Sequence, residues 1–126
     1  MYPLQTYAEY FDRLQHLVHK KYVKLINDFI NKNHETCLNH GDVAPDHIYI
    51  DADGNYVSLI DWDDIVSAPR LFDLSELLVN LEYDKEYWES FMKGYSKHFG
   101  YVDINNKNLL ISALLQNYES YYWYLT

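Results

Sequence analysis

Two short stretches hold most of the side chains that could do chemistry. The first is Leu38-Asn39-His40-Gly41-Asp42-Val43-Ala44-Pro45-Asp46-His47, and the second is Ile60-Asp61-Trp62-Asp63-Asp64. Ile48-Tyr49-Ile50 and Tyr56-Val57-Ser58-Leu59-Ile60 between them are β-branched and aromatic, and Asp51-Ala52-Asp53-Gly54-Asn55 is turn chemistry. Together they predict a β-hairpin with a loop of about five residues. A tight hairpin returns the chain to its start. Asp61, at the far end of the second strand, therefore comes back beside the loop that holds Asp42 and His47. Two carboxylates and an imidazole at one hairpin mouth suit a divalent metal with a base beside it. The competing reading of Asp42 and Asp61 is that they only cap turns, as loop aspartates commonly do.

The elements that position this mouth are mostly helical. Tyr7, Tyr10, Phe11, Leu14, Leu17, Val18, Leu25, Ile26, Phe29 and Ile30 recur at helical spacing and predict one long amphipathic helix. Thr6 and Glu9 have the spacing of a capping box at its start, and Asn31-Lys32-Asn33-His34 ends it. After Pro69, Asp73 and Glu76 offer a cap for a helix carrying Leu74, Leu77, Leu78 and Leu81. A further helix is expected after Asp84, stopped by Gly100, and a last one from near Asp103 into Tyr121-Tyr122-Trp123-Tyr124. The expected class is α+β, mostly helical with one β-hairpin, as a single domain over residues 1–126.

Composition narrows the function classes. A chain of 126 residues buries about two-thirds of its unfolded surface, enough for one core. Ten Lys and Arg against 19 Asp and Glu leave a formal charge of −9, which excludes the basic surface of a typical nucleic-acid binder. An acidic site must recruit metal ions before it can hold an anionic ligand. No apolar run approaches the roughly 20 residues that span a bilayer, and nothing at the start resembles a secretory signal. One cysteine, Cys37, forms no intramolecular disulfide, so a cytoplasmic location is expected, with Cys37 as a small buried apolar residue.

The ordered motifs resemble the aminoglycoside phosphotransferase and choline kinase-like family, a branch of the protein-kinase-like fold. Its catalytic loop reads His-Gly-Asp, four residues, then usually Asn. Here it reads His40-Gly41-Asp42, Val43 to Asp46, then His47, with the Asp-to-Asn spacing of protein kinases. The family's metal-binding Ile-Asp-Trp is matched by Ile60-Asp61-Trp62, and its Pro followed by Asp-Leu by Pro69 and Asp73-Leu74. The likeness is close over residues 38 to about 75.

The resemblance implies an ATP-dependent transfer of phosphate to a hydroxyl on a small molecule, with an aminoglycoside, macrolide or similar antibiotic as the substrate class. It makes Asp42 the residue that orients the hydroxyl and accepts its proton. Asp61 would hold Mg²⁺ under the nucleotide's phosphates. His47 stands where an Asn usually makes the second metal contact, as in macrolide-type kinases. For His47, metal contact and a purely structural role both stay open. His40 and Asp73 would be structural supports of the loop. Asp63 and Asp64 would be solvated or would face the substrate. The family also places an N-terminal lobe with a Gly-rich loop and a phosphate-binding Lys before this region. Only 37 residues precede Leu38 here, with no glycine before Gly41. The expectation is a C-terminal lobe alone, incomplete as a kinase and self-associating through its exposed face, with the terminal Tyr/Trp cluster as part of that face. Two other readings compete. One is a non-catalytic interaction module keeping the fold. The other is a metal-dependent phosphoesterase using His40, Asp42, His47 and Asp61.

Overall fold

The structure, a computed structural model, describes the backbone of residues 1–125 and the side chains of residues 1–118. In chain order the helices are α1 (Leu4–Leu14), α2 (Lys20–Ile30), α3 (Leu71–Asn80), α4 (Lys85–Tyr95) and α5 (Lys107–Leu125). The strands are β1 (Thr36–Asn39), β2 (Ile48–Ile50), β3 (Tyr56–Leu59) and β4 (Val66–Pro69). This is the mostly helical α+β class that the periodicity implies.

The β-structure consists of two nested antiparallel pairs. β2 and β3 form the expected hairpin, with Ile48 opposite Leu59 and Tyr49 opposite Ser58. The Ile60 N–H donates to the His47 carbonyl at 2.9 Å and continues the ladder past the strand ends. The outer pair, β1 with β4, was not foreseen. It runs from Thr36 opposite Pro69 to Asn39 opposite Val66. Four-residue segments such as Thr36-Cys37-Leu38-Asn39 carry too little periodicity to announce a strand. The outer pair fixes the outer ends of the two loops, 40–47 and 60–65. The hairpin fixes their inner ends.

The predicted long first helix is two helices. Val18 is extended (φ −103°, ψ 139°), and a 3-10 turn at Gln15–Leu17 precedes it. His19 then starts α2 by accepting the Lys21 N–H at Nδ1, 3.2 Å away. The break folds α2 back, so that Phe11 of α1 meets Ile26 and Phe29 of α2 in one core cluster. The Thr6–Glu9 capping box is also corrected. The helix opens on Pro3, whose locked φ suits a helix entry, and no side chain caps it. The Thr6 N–H donates to the Pro3 carbonyl at 3.0 Å, so Thr6 is already inside the first turn.

The remaining boundaries shift by a few residues. α3 begins at Leu71 directly after β4, which places Asp73 in its first turn rather than at the cap. Asp84 caps α4, accepting the Tyr87 N–H at 3.0 Å. Asp103 closes a turn by accepting the Asn105 N–H at 2.8 Å, and Asn106 accepts from Leu109 at the head of α5. Cys37 is half-buried. The Tyr121–Tyr124 cluster lies outside the described side chains.

α3 is the central helix. Phe72 faces a cluster with Tyr7, Phe11, Ile26, Phe29, Ile111 and Leu115, while Leu74 and Leu78 face a second with Trp88, Met92 and Leu109. α5 packs along both α1 and α3. With apolar contacts on two sides, α3 cannot rotate, and its polar residues at 73, 76 and 80 are held against the loop after β1.

Asn39, 1 % exposed, joins strand, sheet and helix. Its Nδ2 donates to the Ala68 carbonyl at 3.0 Å, and its Oδ1 accepts the Asp73 N–H at 3.0 Å. Asn39→Ala leaves both backbone groups unpaired in a dry site. It should cost about 2–4 kcal/mol, read as a lower urea midpoint with an unchanged slope.

Candidate active site and metal centre

The loop leaving β1 is anchored before it reaches Asp42. The Asp73 carboxylate accepts the His40 N–H at 2.7 Å and the Gly41 N–H at 3.0 Å, one oxygen for each. Charge-assisted bonds of this kind are the stronger class. Gly41 has φ +89°, and a Cβ there would lie 2.1 Å from the Asp64 carbonyl oxygen. Only glycine lets the two loops touch at this point. The contact joins the loop of Asp42 to the loop of Asp61.

His40 is buried and its ring bridges the same two loops. Its Nδ1 accepts the Asp42 N–H at 3.1 Å, and its Nε2 lies 2.7 Å from the Ile60 carbonyl. An accepting Nδ1 and a carbonyl partner place the proton on Nε2. Both ring nitrogens are therefore engaged by backbone, and neither keeps a lone pair for a metal. This removes His40 from the ligand set that a four-residue phosphoesterase centre requires. The Trp62 ring packs edge-on against His40 with centroids 4.5 Å apart, and its Nε1 donates to the Leu59 carbonyl at 2.8 Å.

Asp42, His47 and Asp61 come together at the hairpin mouth, with one ligand-type atom of each lying within 4.8 Å of the others. His47 Nδ1 donates to the Asp42 carbonyl at 2.8 Å, and its Nε2 lies 3.4 Å from Asp61 Oδ2. That hydrogen bond holds the imidazole pKa above its usual value. Desolvation opposes it, and the charges of Asp42, Asp46 and Asp61 reinforce it. Asp61 adopts φ 63°, a left-handed conformation that aspartate tolerates better than most residues. It turns the chain sharply where β3 ends.

The donor set suits a small divalent cation. Two carboxylates supply the oxygen ligands that Mg²⁺ prefers, and imidazole suits Mg²⁺ less well. With Nδ1–H committed to a carbonyl, a neutral His47 has its lone pair on Nε2, facing Asp61. The ring can thus orient Asp61 or ligate a metal. Asp63 and Asp64 are exposed and stand outside the three-residue group. Asp64 meets the site through its backbone carbonyl against Gly41.

Sequence reasoning missed one support on α3, Asn80, and it read Glu76 as part of a helix cap. Asn80 Nδ2 donates to the Val43 carbonyl at 2.6 Å. Glu76 lies one turn after Asp73, and its Oε2 is buried with no hydrogen bond. Burial pushes its pKa up to about 7. The charges of Asp42 and Asp73 add to this, while the Met1 ammonium and the Val43 N–H oppose it. The signal for both residues was their spacing of three and seven from Asp73, which puts all three on one helix face. Asn39 was legible only as part of a motif, because its partners lie 29 and 34 residues away.

Between α3, α4 and the hairpin lies an apolar cavity of about 620 Å³, with Val43 and Asp73 also in its wall. Leu74 and Leu77 of α3 floor it, Phe91 and Tyr95 of α4 line one side, and Ile48 and Leu59 of the hairpin line the other. Leu38 and Tyr56 at its rim are each 68 % exposed. Among the described residues no helix is long and apolar enough to cross a membrane.

A family model described as the phosphotransferase enzyme family matches residues 4–111 of the chain. No curated protein and no solved structure matches it significantly.

Glu76 sets a pH dependence of stability. Its folded pKa of about 7 lies above the ordinary 4.5, so the folded chain retains a proton that the unfolded chain releases. Its contribution is therefore full below the ordinary value and is lost as pH rises through 7. The shift would cost about 1.4 kcal/mol per pH unit. Solvent reaching this partly exposed side chain reduces the total to about 1–2 kcal/mol. Glu76→Gln should stabilise the chain by that amount at pH 8 and have little effect at pH 5, as read from urea midpoints at the two pH values.

Proposed function

Because the chain belongs to the phosphotransferase enzyme family, we propose that it is the catalytic-loop lobe of an ATP-dependent phosphotransferase acting on a small hydroxyl-bearing molecule. The observation that carries this reading is the convergence of Asp42, His47 and Asp61 at one hairpin mouth. A stretch with kinase-like spacing leads into it. Asp42 orients the substrate hydroxyl and takes its proton as the hydroxyl oxygen bonds to the γ-phosphorus and the bond to the β-phosphate oxygen breaks. Asp61, with Asp42 close by, holds Mg²⁺, which when bound neutralises phosphate charge and fixes the in-line geometry. His47 orients Asp61 through Nε2 or joins it as a ligand. Asp73 and His40 hold the loop's backbone and touch neither substrate nor metal. Asp63 and Asp64, exposed beside Asp61, give a cationic substrate such as an aminoglycoside an acidic approach, and macrolides are the other substrate class this reading favours.

In this reading the nucleotide's adenine and β-phosphate contacts come from a separate lobe, since residues 1–40 contain no glycine from which to build a phosphate-covering loop. The isolated chain then binds metal but turns over slowly. Its exposed apolar side chains, with Leu38, Ile50 and Tyr56 at 63–68 % exposure, support self-association. A cytoplasmic location, where ATP and Mg²⁺ are plentiful, fits the same reading.

Two measurements test it. Mn²⁺ binding followed by electron paramagnetic resonance, with and without ATP, should weaken at least tenfold in Asp61→Asn. Transfer of labelled γ-phosphate to a panel of aminoglycosides and macrolides should fall about 100-fold or more in Asp42→Asn. Metal binding and partner binding indifferent to both substitutions would instead identify a non-catalytic interaction module. Light scattering at tens of micromolar should report a dimer or larger, and a clean monomer would rule out self-association through the exposed face.

A further inference from the structure

The cavity between α3, α4 and the hairpin is apolar over most of its wall and polar at one end. Its volume of about 620 Å³ lies within the range of small-molecule sites. Phe91, Tyr95 and Phe99 follow one another at intervals of four and line one side. Their rings form a ladder, with centroids 5.7 Å apart from Phe91 to Tyr95 and 5.2 Å apart from Tyr95 to Phe99. Arg70, between β4 and α3, stands at the Phe99 end, its guanidinium 5.6 Å from that ring's centroid. Among the described residues of the wall it is the one cation. The hydrogen bond it makes among the described residues, Nη2 to Glu35 Oε1 at 3.0 Å, runs to a side chain 78 % exposed. Exposed pairs of this kind are weak, and the guanidinium has further N–H donors to offer. The carboxylate in the wall, Asp73, already has one oxygen on the His40 N–H and the other on the Gly41 N–H.

We propose that this cavity binds a small aromatic carboxylate, with its ring against Phe91 and Tyr95 and its carboxylate held by Arg70. The planar guanidinium presents paired N–H donors that match two carboxylate oxygens. The ring supplies the apolar burial, and aromatic walls favour a flat aromatic body. Leu74 and Leu77 at the floor are apolar, so the ring's burial there leaves no polar group unpaired. Excluding water from the apolar walls also strengthens the ion pair. An uncharged ligand would fill the walls but leave Arg70 with Glu35. A cationic one would meet the guanidinium as a like charge. Glu35 competes with the ligand for the same donors. Asp42, His47 and Asp61 are not among the cavity's lining residues, so the proposal stands whether or not the chain transfers phosphate.

Naphthoate and its neutral isostere naphthamide, titrated by calorimetry into the full chain in metal-free buffer, test the proposal. Naphthoate should bind at least tenfold more tightly than naphthamide. Arg70→Met, which keeps an apolar stem of similar reach, should weaken naphthoate at least tenfold and leave naphthamide within about threefold. Glu35→Gln, an exposed change that removes the competing charge, should tighten naphthoate about threefold. In amide NMR spectra naphthoate should shift Leu77, Phe91 and Tyr95 and leave His47 and Asp61 in place. Naphthamide binding as tightly as naphthoate, or Arg70→Met binding naphthoate as the wild-type chain does, would overturn the charged contact and with it the ligand class. Absence of binding by either probe at millimolar concentration, or shifts centred on His47 and Asp61, would overturn the site itself. Should Arg70→Met unfold, naphthamide and Glu35→Gln still decide the matter.

Discussion

The site depends on one exchange of hydrogen bonds between the end of β1 and the start of α3. Asn39 accepts the Asp73 N–H, and Asp73 accepts the N–H groups of His40 and Gly41. Each partner thus satisfies groups that the other leaves open. The donors are backbone, so the bonds fix the path of the chain and not merely the place of a side chain. If Asp73 moved, two adjacent N–H groups near the core would lose their acceptor, a cost of about 1–3 kcal/mol each. Everything downstream takes its position from this junction.

The nested sheets turn that anchored path into a closed frame. β1 and β4 clamp the outer ends of loops 40–47 and 60–65, and β2 and β3 clamp the inner ends. Between the clamps the loops touch at Gly41 and Asp64 and share the His40 ring as a bridge. A buried histidine with both nitrogens used by backbone is a strut. His47, five residues from Asp42, bonds one carbonyl and keeps its other nitrogen toward Asp61. The two histidines show how residues of one type in a single loop divide into support and site. Burial and the number of engaged nitrogens decide which is which.

The frame also carries an unfavourable charge arrangement. Asp42, Asp61, Asp73 and Glu76 crowd one end of α3 and the hairpin mouth, and the protonation of Glu76 near neutral pH reflects that crowding as well as burial. Clustered carboxylates of this kind lower the stability of the metal-free chain and favour a divalent cation.

Much of the site was legible in the sequence because its logic is local. Turn residues at 51–55 flanked by β-branched runs announce a hairpin, and a hairpin alone brings Asp61 back toward Asp42. The helices from 71 and from 85 follow from apolar spacing that any chain must bury. Other features depended on partners distant along the chain. Val18 breaks the first helix because folding α2 back buries Phe29 against Phe11, a gain no local propensity registers. The β1–β4 pair was invisible because short strands are set by their partners. Asn80 reads as an ordinary helix polar residue until α3, locked by apolar contacts on two sides, turns it toward Val43. Residue type and spacing determined which chemistry this protein can hold. Packing around α3 decided which residues hold it in place, because only burial on opposite sides of one helix fixes the direction its polar face must take.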